Sequence, residues 1–522
     1  MLGQPLLNER YDLGRQNSIL GSVIATDSCY YATATVSNDT IPSIMEIAFI
    51  RYNLNGSLHT IKIFGNDTMH LDVWEKNNLI RTLDGNFAQI ARAQSFSSSP
   101  GVFMFIKFNP LGDTLFTKII DEFYIDDLNE GLAPSAMIQN TDSSYTCLIN
   151  TENTGLHLGG VVFFKLDKNG NLIFHKNFYG LAVDHDRVLT SSSLVSCDDT
   201  SYLIGTTLIN QAAYDVEVRY HTKLIKVNTL GDLIQDWTYW EDSLSYGCNS
   251  LTKTMDGGYL YCGRNGHYFS DFNGVFFKGR VVKLKPDFSV DWDLLVGKYG
   301  EEWVVNLTTL KAVNDSEFVA VGTIHPEDDT LYNKFGWFIK FNLKGELLWQ
   351  RKWLKVPHFD GEINYAGHQL YDMDITQDGG FVAVGQSINY YEDNGIPYGQ
   401  LAWLIKTDEF GCIVPGCNLD AAEYFQDNPS DTINSSMVVP EVNLYPNPAS
   451  TVVNYYHHQD DFDSTTVAMV YDPAGQIVQK WPVLQNDVTY IVDVSDFTQG
   501  VYVLKVVGTI GVLRTERFVV TR

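Results

Sequence analysis

Aromatic and acidic residues cluster in three segments of the sequence, and this combination suits carbohydrate binding. Flat rings can stack on sugar rings while carboxylates accept hydrogen bonds from sugar hydroxyls, and ligand sites commonly combine the two. The candidate ligand-binding residues are Tyr214, Tyr220, His267, Tyr268, Phe269, Asp271, Tyr390, Tyr391 and Asp393. The alternative is that these aromatic residues only pack the segments against one another.

Sequence motifs for catalysis are lacking. There is no HExxH, no G-x-S-x-G, no phosphate-binding loop and no paired CxxC. We therefore predict no catalytic residues, and a binding function is favoured over an enzyme. Two alternatives stay open: an extracellular hydrolase or lyase that acts on polysaccharide through a carboxylate pair, and a purely structural surface protein.

An Asp stands three residues before a Tyr or Phe at seven nearly regular positions. The seven residues are Asp27, Asp84, Asp142, Asp199, Asp256, Asp315 and Asp378. Their spacings are 57, 58, 57, 57, 59 and 63 residues, which indicates a repeat architecture. Each Asp is suited to head a turn by bonding its own backbone two residues on. Calcium binding is the alternative, but one carboxylate per repeat is fewer than calcium needs, so no metal or other cofactor is predicted.

A second motif follows each Asp, an apolar-Lys-apolar strand that leads into a glycine turn. It recurs at Lys107, Lys165, Lys226, Lys340 and Lys406, with Arg51 in the first copy and Lys283 in a fifth copy without glycine. Short apolar runs bounded by Gly, Asp and Asn predict four strands per repeat. Because the loops between the Asp strand and the Lys strand are equivalent in every repeat, they share one face, where the candidate ligand-binding residues are expected.

Seven four-stranded units predict a seven-bladed β-propeller over residues 1–417. The seventh repeat ends without its last strand, and residues 6–14 resemble that strand in other repeats. We therefore expect the amino-terminal strand to complete the last blade. Cys412 and Cys417 are close enough in sequence to form a disulfide, and the alternative is two free thiols.

Residues 418–440 lack periodicity and predict a linker, and residues 441–522 predict a separate β-sandwich of short strands. The net charge of −27 argues against binding nucleic acid or anionic lipid through charge. No apolar run is long enough to predict a membrane span. The amino end lacks the features of a signal peptide, so for a secreted protein we expect that peptide to have been removed already.

The last unit resembles the C-terminal sorting domain of type IX secretion cargo, with an Ig-like sandwich fold. The resemblance covers residues 441–522 and is carried by spaced motif residues: Pro446, Asn447, Pro448, Asp472, Gly475, Gly500, Tyr502 and Lys505. The repeats in turn look like the DGG-type propellers common in such cargo. The resemblance implies export through the periplasm of a Gram-negative bacterium, with the outer-membrane secretion machinery and a sortase as partners. The protein is then released or attached to the outer cell surface.

Overall fold

The structure is a computed structural model. It describes residues 4–15, 17–38, 41, 44–65, 69–73, 78–95, 98–121, 130–153, 158–179, 186–210, 219–239, 244–269, 274–300, 305–325, 334–354, 366–389, 392–393, 396–397, 400–413, 417, 444–445, 449–457, 467–473, 476–482, 488–508 and 511–521. These residues contain strands and no α-helix, so the all-β prediction is confirmed. The chain forms two compact units, Met1–Asp431 and Thr432–Arg522. The predicted linker, residues 418–440, lies outside the described residues.

Thirty-one strands of the described residues belong to the first unit. In chain order they are β1 (Leu7–Tyr11), β2 (Ser18–Ala25), β3 (Cys29–Ser37), β4 (Met45–Asn53), β5 (Leu58–Phe64), β6 (Met69–Asp72), β7 (Leu79–Arg81), β8 (Phe87–Ser95), β9 (Ser98–Phe108), β10 (Thr114–Ile120), β11 (Glu130–Gln139), β12 (Tyr145–Asn153), β13 (Leu158–Leu166), β14 (Leu172–Tyr179), β15 (Asp186–Asp198), β16 (Ser201–Asn210), β17 (Arg219–Asn228), β18 (Leu233–Tyr239), β19 (Leu244–Lys253), β20 (Tyr259–Phe269), β21 (Gly274–Leu284), β22 (Val290–Gly300), β23 (Asn306–Ala312), β24 (Glu317–Ile324), β25 (Phe335–Asn342), β26 (Leu347–Trp353), β27 (Ala366–Ile375), β28 (Phe381–Asn389), β29 (Glu392–Asp393), β30 (Ile396–Pro397) and β31 (Gln400–Thr407).

Apart from the short β29–β30 hairpin, these strands form seven antiparallel sheets within the described residues. Sheet 1 is β2–β5, sheet 2 is β6–β10, sheet 3 is β11–β14, sheet 4 is β15–β18, sheet 5 is β19–β22 and sheet 6 is β23–β26. Sheet 7 has the order β1-β31-β28-β27, so its outermost strand comes from the start of the chain. Leu7–Tyr11 pairs with β31 in the position that the sequence predicts for this segment.

Both faces of the central strands are buried, because each sheet packs between two others. On β12, Tyr145, Cys147 and Ile149 pack against sheet 2, whereas Leu148 packs against sheet 4. Continuous apolar runs are the sequence pattern of strands buried on both faces. Similar apolar clusters join each sheet to the next one in the series from sheet 1 to sheet 7.

The seventh sheet packs against the first, so the sheet-to-sheet contacts form a closed succession. Leu7, Val384 and Leu404 of sheet 7 share a buried cluster with Leu20 and Tyr52 of sheet 1. Tyr11 extends this contact, since its hydroxyl donates to the carbonyl of Gly56 at 2.6 Å. The first and last repeats in sequence are therefore neighbours in space.

The two repeated motifs meet at one turn in four of the seven sheets, where a lysine ammonium binds the Asp of the turn. The pairs and their N···O distances are Lys107–Asp84 at 2.6 Å, Lys165–Asp142 at 3.4 Å, Lys283–Asp256 at 2.9 Å and Lys406–Asp378 at 3.1 Å. The Asp carboxylate also accepts a backbone N–H two residues on, as in Gly258 N to Asp256 Oδ1 at 3.1 Å. The seven aromatic residues of the motif are all buried. These contacts give the motif a structural role.

Two repeats depart from the predicted motif. In sheet 4 the residue that caps the turn is Asp198, not Asp199, because the Thr200 N–H lies within 2.8 Å of Asp198 Oδ1. In sheet 6 Lys340 pairs with Glu317 at 3.0 Å instead of Asp315. The sheet 6 turn itself is capped by Asn314, whose Oδ1 accepts the Ser316 amide at 2.9 Å, two residues on.

The glycine turns after the Lys strands pack one sheet on the next. Gly112 of sheet 2 has φ +82°, and a Cβ there would lie 3.0 Å from the Phe49 ring of sheet 1. Gly345 and Gly411 meet Trp292 and Trp349 of the preceding sheets in the same way. Sheet 5 lacks this glycine, and Phe288 takes φ +66° there while its ring stacks 3.8 Å from that of Trp237.

Cysteines are buried in the first unit. Cys412 and Cys417 form a disulfide with a Cα–Cα distance of 5.6 Å. Cys29, Cys147, Cys197, Cys248 and Cys262 are buried. Cys147 and Cys262 lie in the cores between sheets, where a small apolar side chain fits.

The second unit contains two sheets in its described residues. Its strands are β32 (Leu444–Tyr445), β33 (Val452–His457), β34 (Val467–Tyr471), β35 (Ile477–Pro482), β36 (Val488–Asp493), β37 (Gly500–Gly508) and β38 (Gly511–Val520). One sheet has the order β32-β33-β36 and the other β35-β34-β37-β38. Val453 and Tyr455 of the first share a buried core with Val470, Leu504 and Phe518 of the second.

Candidate functional site

The predicted ligand-binding residues do not all lie in loops. Tyr214, Asp271, Tyr390 and Tyr391 fall outside the described residues, so their placement remains a prediction. His267, Tyr268 and Phe269 belong to β20, where they pair with Phe276, Val275 and Gly274. Tyr220 belongs to β17 and Asp393 to β29. The expectation that these five residues are loop residues is wrong, because the hairpins extend further than the apolar runs suggest.

The first strand of the repeat lies at one edge of its sheet in sheets 1 and 3 to 7, and we call these six strands, β2, β11, β15, β19, β23 and β27, the innermost strands. All six carry a register shift that was not predicted from the sequence. The shifts lie at Leu20/Ser22, Pro134/Ala136, Leu189/Ser193, Tyr246/Ser250, Leu307/Thr309 and Leu370/Asp372. Such bulges twist and bend a strand and redirect its side chains. Each shift ends at a small or polar residue that stands five or six residues before the repeated Asp. A small or polar residue at this fixed distance before each repeated Asp is the sequence signal that could have located the bulges.

Polar side chains at these bulges bond the innermost strands of neighbouring sheets to each other. Ser193 Oγ accepts the Leu251 amide at 3.0 Å, and Ser250 Oγ accepts the Leu310 amide at 3.1 Å. Thr309 continues the series by donating to the Tyr371 carbonyl at 2.8 Å, and Ser22 Oγ accepts the Asn78 amide at 3.2 Å. Buried backbone groups thereby obtain partners that the sheets themselves do not supply.

Where sheet 7 meets sheet 1, the side chains that bond the neighbouring innermost strand are two carboxylates. Asp372 Oδ2 accepts the Val23 amide and Asp374 Oδ2 accepts the Ala25 amide, both at 2.9 Å. Lys311 of sheet 6 reaches Asp374 Oδ1 at 3.0 Å. Three sheets are therefore joined by charged hydrogen bonds at the seam between the two ends of the first unit.

The two carboxylates have different electrostatic environments. Burial raises the pKa of Asp372 from 3.8 to about 6, against the opposing charge of Lys311. Its Oδ1 has no hydrogen-bond partner among the described residues. Burial tends to lower the pKa of Lys311, but the charges of Asp374 and Asp372 outweigh it and raise that pKa. A carboxyl whose pKa is raised by burial is used in acid–base catalysis, yet Asp372 is only 1% exposed.

A cavity of about 150 Å³ lies between the innermost strands of sheets 3 to 6. Its polar lining comes from the bulge residues, including Ser135, Ser193, Ser250 and Thr309. Its apolar lining includes Met137, Leu194, Leu251 and Leu310. The site lies at the innermost strands, away from the hairpin residues that the sequence analysis singled out.

Motif residues of the second unit converge at one end of its sheets. Gly500 pairs with Val520, and a Cβ on Gly500 would lie 2.8 Å from Pro473. The Ala449 amide donates to the Val519 carbonyl at 2.7 Å, which joins the opening motif to the terminal strand. Spaced motifs in the sequence thus form one contiguous region.

The remaining sorting-motif residues are structural or lie outside the described residues. Asp472 Oδ1 accepts the Gln476 amide at 2.8 Å and closes a turn. Tyr502 is buried, and its hydroxyl donates to the Thr498 carbonyl at 2.9 Å. The Lys505 ammonium lies 5.8 Å from the centre of the Tyr471 ring. The residues outside the described part are Pro446, Asn447, Pro448 and Gly475.

Metal sites and membrane helices are not found in the described part of the chain. No group of three or more His, Cys, Asp or Glu side chains there is arranged to hold a metal ion. Within the same residues, no helix has the length and apolar character that crossing a bilayer requires.

Residues 443–521 match the family model of the secretion system C-terminal sorting domain. This match supports the resemblance to type IX secretion cargo and implies that the protein is exported to the exterior or to the outer surface. No curated protein is significantly similar to the chain in sequence.

Solved structures that match this chain share little sequence with it. A crystal structure of the polysaccharide lyase Uly1 is 9% identical, with a TM-score of 0.42 over 74% of this chain and 90% of that one. The α-L-arabinanase of Penicillium chrysogenum complexed with arabinobiose is 8% identical, with a TM-score of 0.38 over 78% and 98% of the two chains. The acylaminoacyl peptidase of Pyrococcus horikoshii is 11% identical, with a TM-score of 0.35 over 73% of this chain and 52% of that one.

Proposed function

We propose that this protein is a secreted or surface-displayed binding module. Residues 1–417 form a seven-bladed β-propeller that binds a glycan or a surface protein. Residues 418–440 are a linker, and residues 441–522 are an Ig-like sorting domain that the type IX machinery and a sortase recognise. The sorting-domain match at 443–521 is the observation that carries the export part of the proposal.

The closed succession of seven sheets supports the propeller assignment. The Asp–Lys pairs and the glycine turns repeat from sheet to sheet. The contact between sheets 7 and 1 leaves no terminal sheet with an uncovered face. A rigid scaffold of this kind commonly presents binding residues on its loops.

Binding is favoured over catalysis because the polar groups of the innermost strands are used to join the strands. Ser193, Ser250 and Thr309 each bond the backbone of a neighbouring sheet. The glycan site remains proposed at the hairpin ends around Tyr220, His267–Phe269 and Asp393. A glycan array probed with the full chain tests it: binding is expected, and alanine at Tyr268 should reduce the signal.

A polysaccharide hydrolase or lyase is the second candidate, and one observation favours it. Asp372 and Asp374 share an innermost strand, and burial raises the pKa of Asp372 to about 6. Polysaccharide cleavage that an Asp372→Asn variant loses would support the enzyme. Unchanged cleavage in that variant would exclude this carboxylate as the catalytic acid.

Export is tested by deleting residues 441–522. The truncated protein should accumulate in the periplasm, because the secretion machinery no longer has a signal to bind. A fusion of residues 418–522 to a periplasmic reporter separates this effect from misfolding, since the reporter should then reach the medium or the cell surface. Normal secretion of the truncated protein would refute the export proposal.

A further inference from the structure

We propose that the cavity lined by the innermost strands of sheets 3 to 6 binds a neutral, ring-sized polyol, such as a single sugar or cyclitol. This site is distinct from the hairpin residues on which the proposed glycan binding depends. Either site can therefore be disproved without the other.

The size of the cavity suits one six-membered ring. Its volume is about 150 Å³. A cavity of about this volume lined by apolar side chains stays dry and accepts benzene. Here the lining is mixed, so the matching ring is one that carries hydroxyl groups.

One hydroxyl in the lining is available to bond a polar occupant of the cavity. Ser135 is 4% exposed, and its Oγ has no hydrogen-bond partner among the described residues. Leaving a buried hydroxyl unsatisfied is unfavourable, and such groups normally have a partner in the protein, in water or in a ligand. Because Ser135 lines the cavity, an occupant of the cavity can supply that partner.

The chemistry of the lining selects a neutral ligand with one polar and one apolar side. None of the lining residues is charged, so an anion or cation would lose its hydration without compensation. The lining combines hydroxyl groups, such as those of Ser135 and Ser193, with aliphatic side chains such as that of Leu251. A saturated ring with hydroxyls at its edge and C–H groups on its face matches both.

The rim gives such a ligand a way in. Ser193, Asn249, Ser250 and Thr308 are partly exposed. The apolar residues Met137, Leu194, Leu251 and Leu310 are buried. A ligand would therefore enter past these polar residues, place one hydroxyl group against Ser135 and turn its apolar face toward the aliphatic side chains.

The test is a saturation-transfer NMR titration of the full chain with myo-inositol, a neutral cyclic polyol. A ligand of this size is expected to bind with a dissociation constant on the order of 1 mM. Ser135→Ala removes one hydrogen bond and should weaken binding about three- to tenfold. Ala136→Leu enlarges a residue that lines the cavity and should weaken binding strongly, and thermal melting checks that both variants fold.

Ser18→Ala is the matched control, because Ser18 is also buried with an unpartnered Oγ but does not line the cavity. It should bind myo-inositol as the unaltered protein does. Absence of saturation transfer, equal weakening in Ser18→Ala, or undiminished binding in Ala136→Leu would overturn the proposal. A crystal structure that shows myo-inositol bound elsewhere on the protein, with only water in the cavity, would also overturn it.

Discussion

At the scale of single residues, the repeated Asp stabilises a turn in four of the repeats, at Asp84, Asp142, Asp256 and Asp378. The degree of burial differs between repeats: the side chain of Lys406 is 0% exposed, and that of Lys165 is 16% exposed. Burial lowers the pKa of Lys406, although Asp378 opposes this effect. We therefore expect the Lys–Asp pair to contribute different amounts to the free energy of unfolding in different sheets.

Replacing Asp378 by Ala should destabilise the first unit by about 3 kcal/mol, because it leaves the buried Lys406 ammonium without its counter-ion. Asp142→Ala is the matched control. Its exposed pair with Lys165 should contribute less than about 1 kcal/mol. Chemical denaturation of both variants measures the difference, and equal losses would contradict the account.

Asp372 should make stability depend on pH. Its carboxyl has a pKa of 3.8 ordinarily and about 6 in the folded protein. Between these values the unfolded chain releases a proton that the folded chain retains, so stability falls as pH rises from about 4 to 6. At 1.36 kcal/mol per pKa unit, the loss amounts to about 3 kcal/mol.

Asp372→Asn should therefore gain stability relative to the unaltered protein between pH 4 and pH 6, in thermal melts across this range. Asp84 is the control with opposite sign. Desolvation tends to raise the pKa of Asp84, but hydrogen bonds from Lys107, Thr82 and Asn86 outweigh it and hold that pKa well below its usual range. Its contribution is present above pH 4 and is lost as the pH falls, so Asp84→Asn should be most harmful near neutral pH. The same pH trend in both variants would refute the assignment.

At the scale of elements, the glycine turns combine a backbone requirement with a packing requirement. Gly85 and Gly112 have φ of +79° and +82°, which L-residues other than glycine rarely adopt. Around Gly85 no atom lies within 4 Å of an added Cβ, whereas around Gly112 the Phe49 and Lys62 side chains of sheet 1 do. A comparison of Gly85 with Gly112 therefore separates the backbone requirement from the packing requirement.

Gly112→Ala should therefore cost more stability than Gly85→Ala. Both variants pay about 1 kcal/mol for the left-handed backbone. Only Gly112→Ala adds overpacking of roughly 1–3 kcal/mol against sheet 1. The comparison needs only the melting curves of the two variants, and equal destabilisation would show that the turn does not transmit packing between sheets.

At the scale of the whole first unit, β1 joins the beginning of the chain to its last sheet. Asn8 Oδ1 accepts the Trp403 indole N–H at 2.8 Å, and Asn8 Nδ2 donates to the Leu354 carbonyl at 3.1 Å. Removing this strand also uncovers β31 and the Tyr52 side of sheet 1. The effect should be local, because the apolar clusters of the described residues each join neighbouring sheets.

Deleting residues 1–14 should accelerate amide hydrogen exchange in β31 and in β2–β4, with sheets 3 to 5 unchanged. Local opening of this kind reports which hydrogen bonds have lost protection. A chain that lacks only residues 1–3 is the control and should retain normal protection. Uniform acceleration across all sheets, or none, would show that β1 does not close the first unit in this way.

The amino-acid sequence alone determined the repeat, the turn chemistry and the role of the opening strand, because these depend on local spacing and on matched apolar runs. It also identified the sorting-domain motif, which is short and ordered along the chain. Only the tertiary structure revealed the bonded innermost strands, the seam at Asp372 and Asp374, and the cavity beside Ser135. These features join residues about one or several repeats apart, and bulges decide which side chains meet there, so spacing along the chain could not locate them.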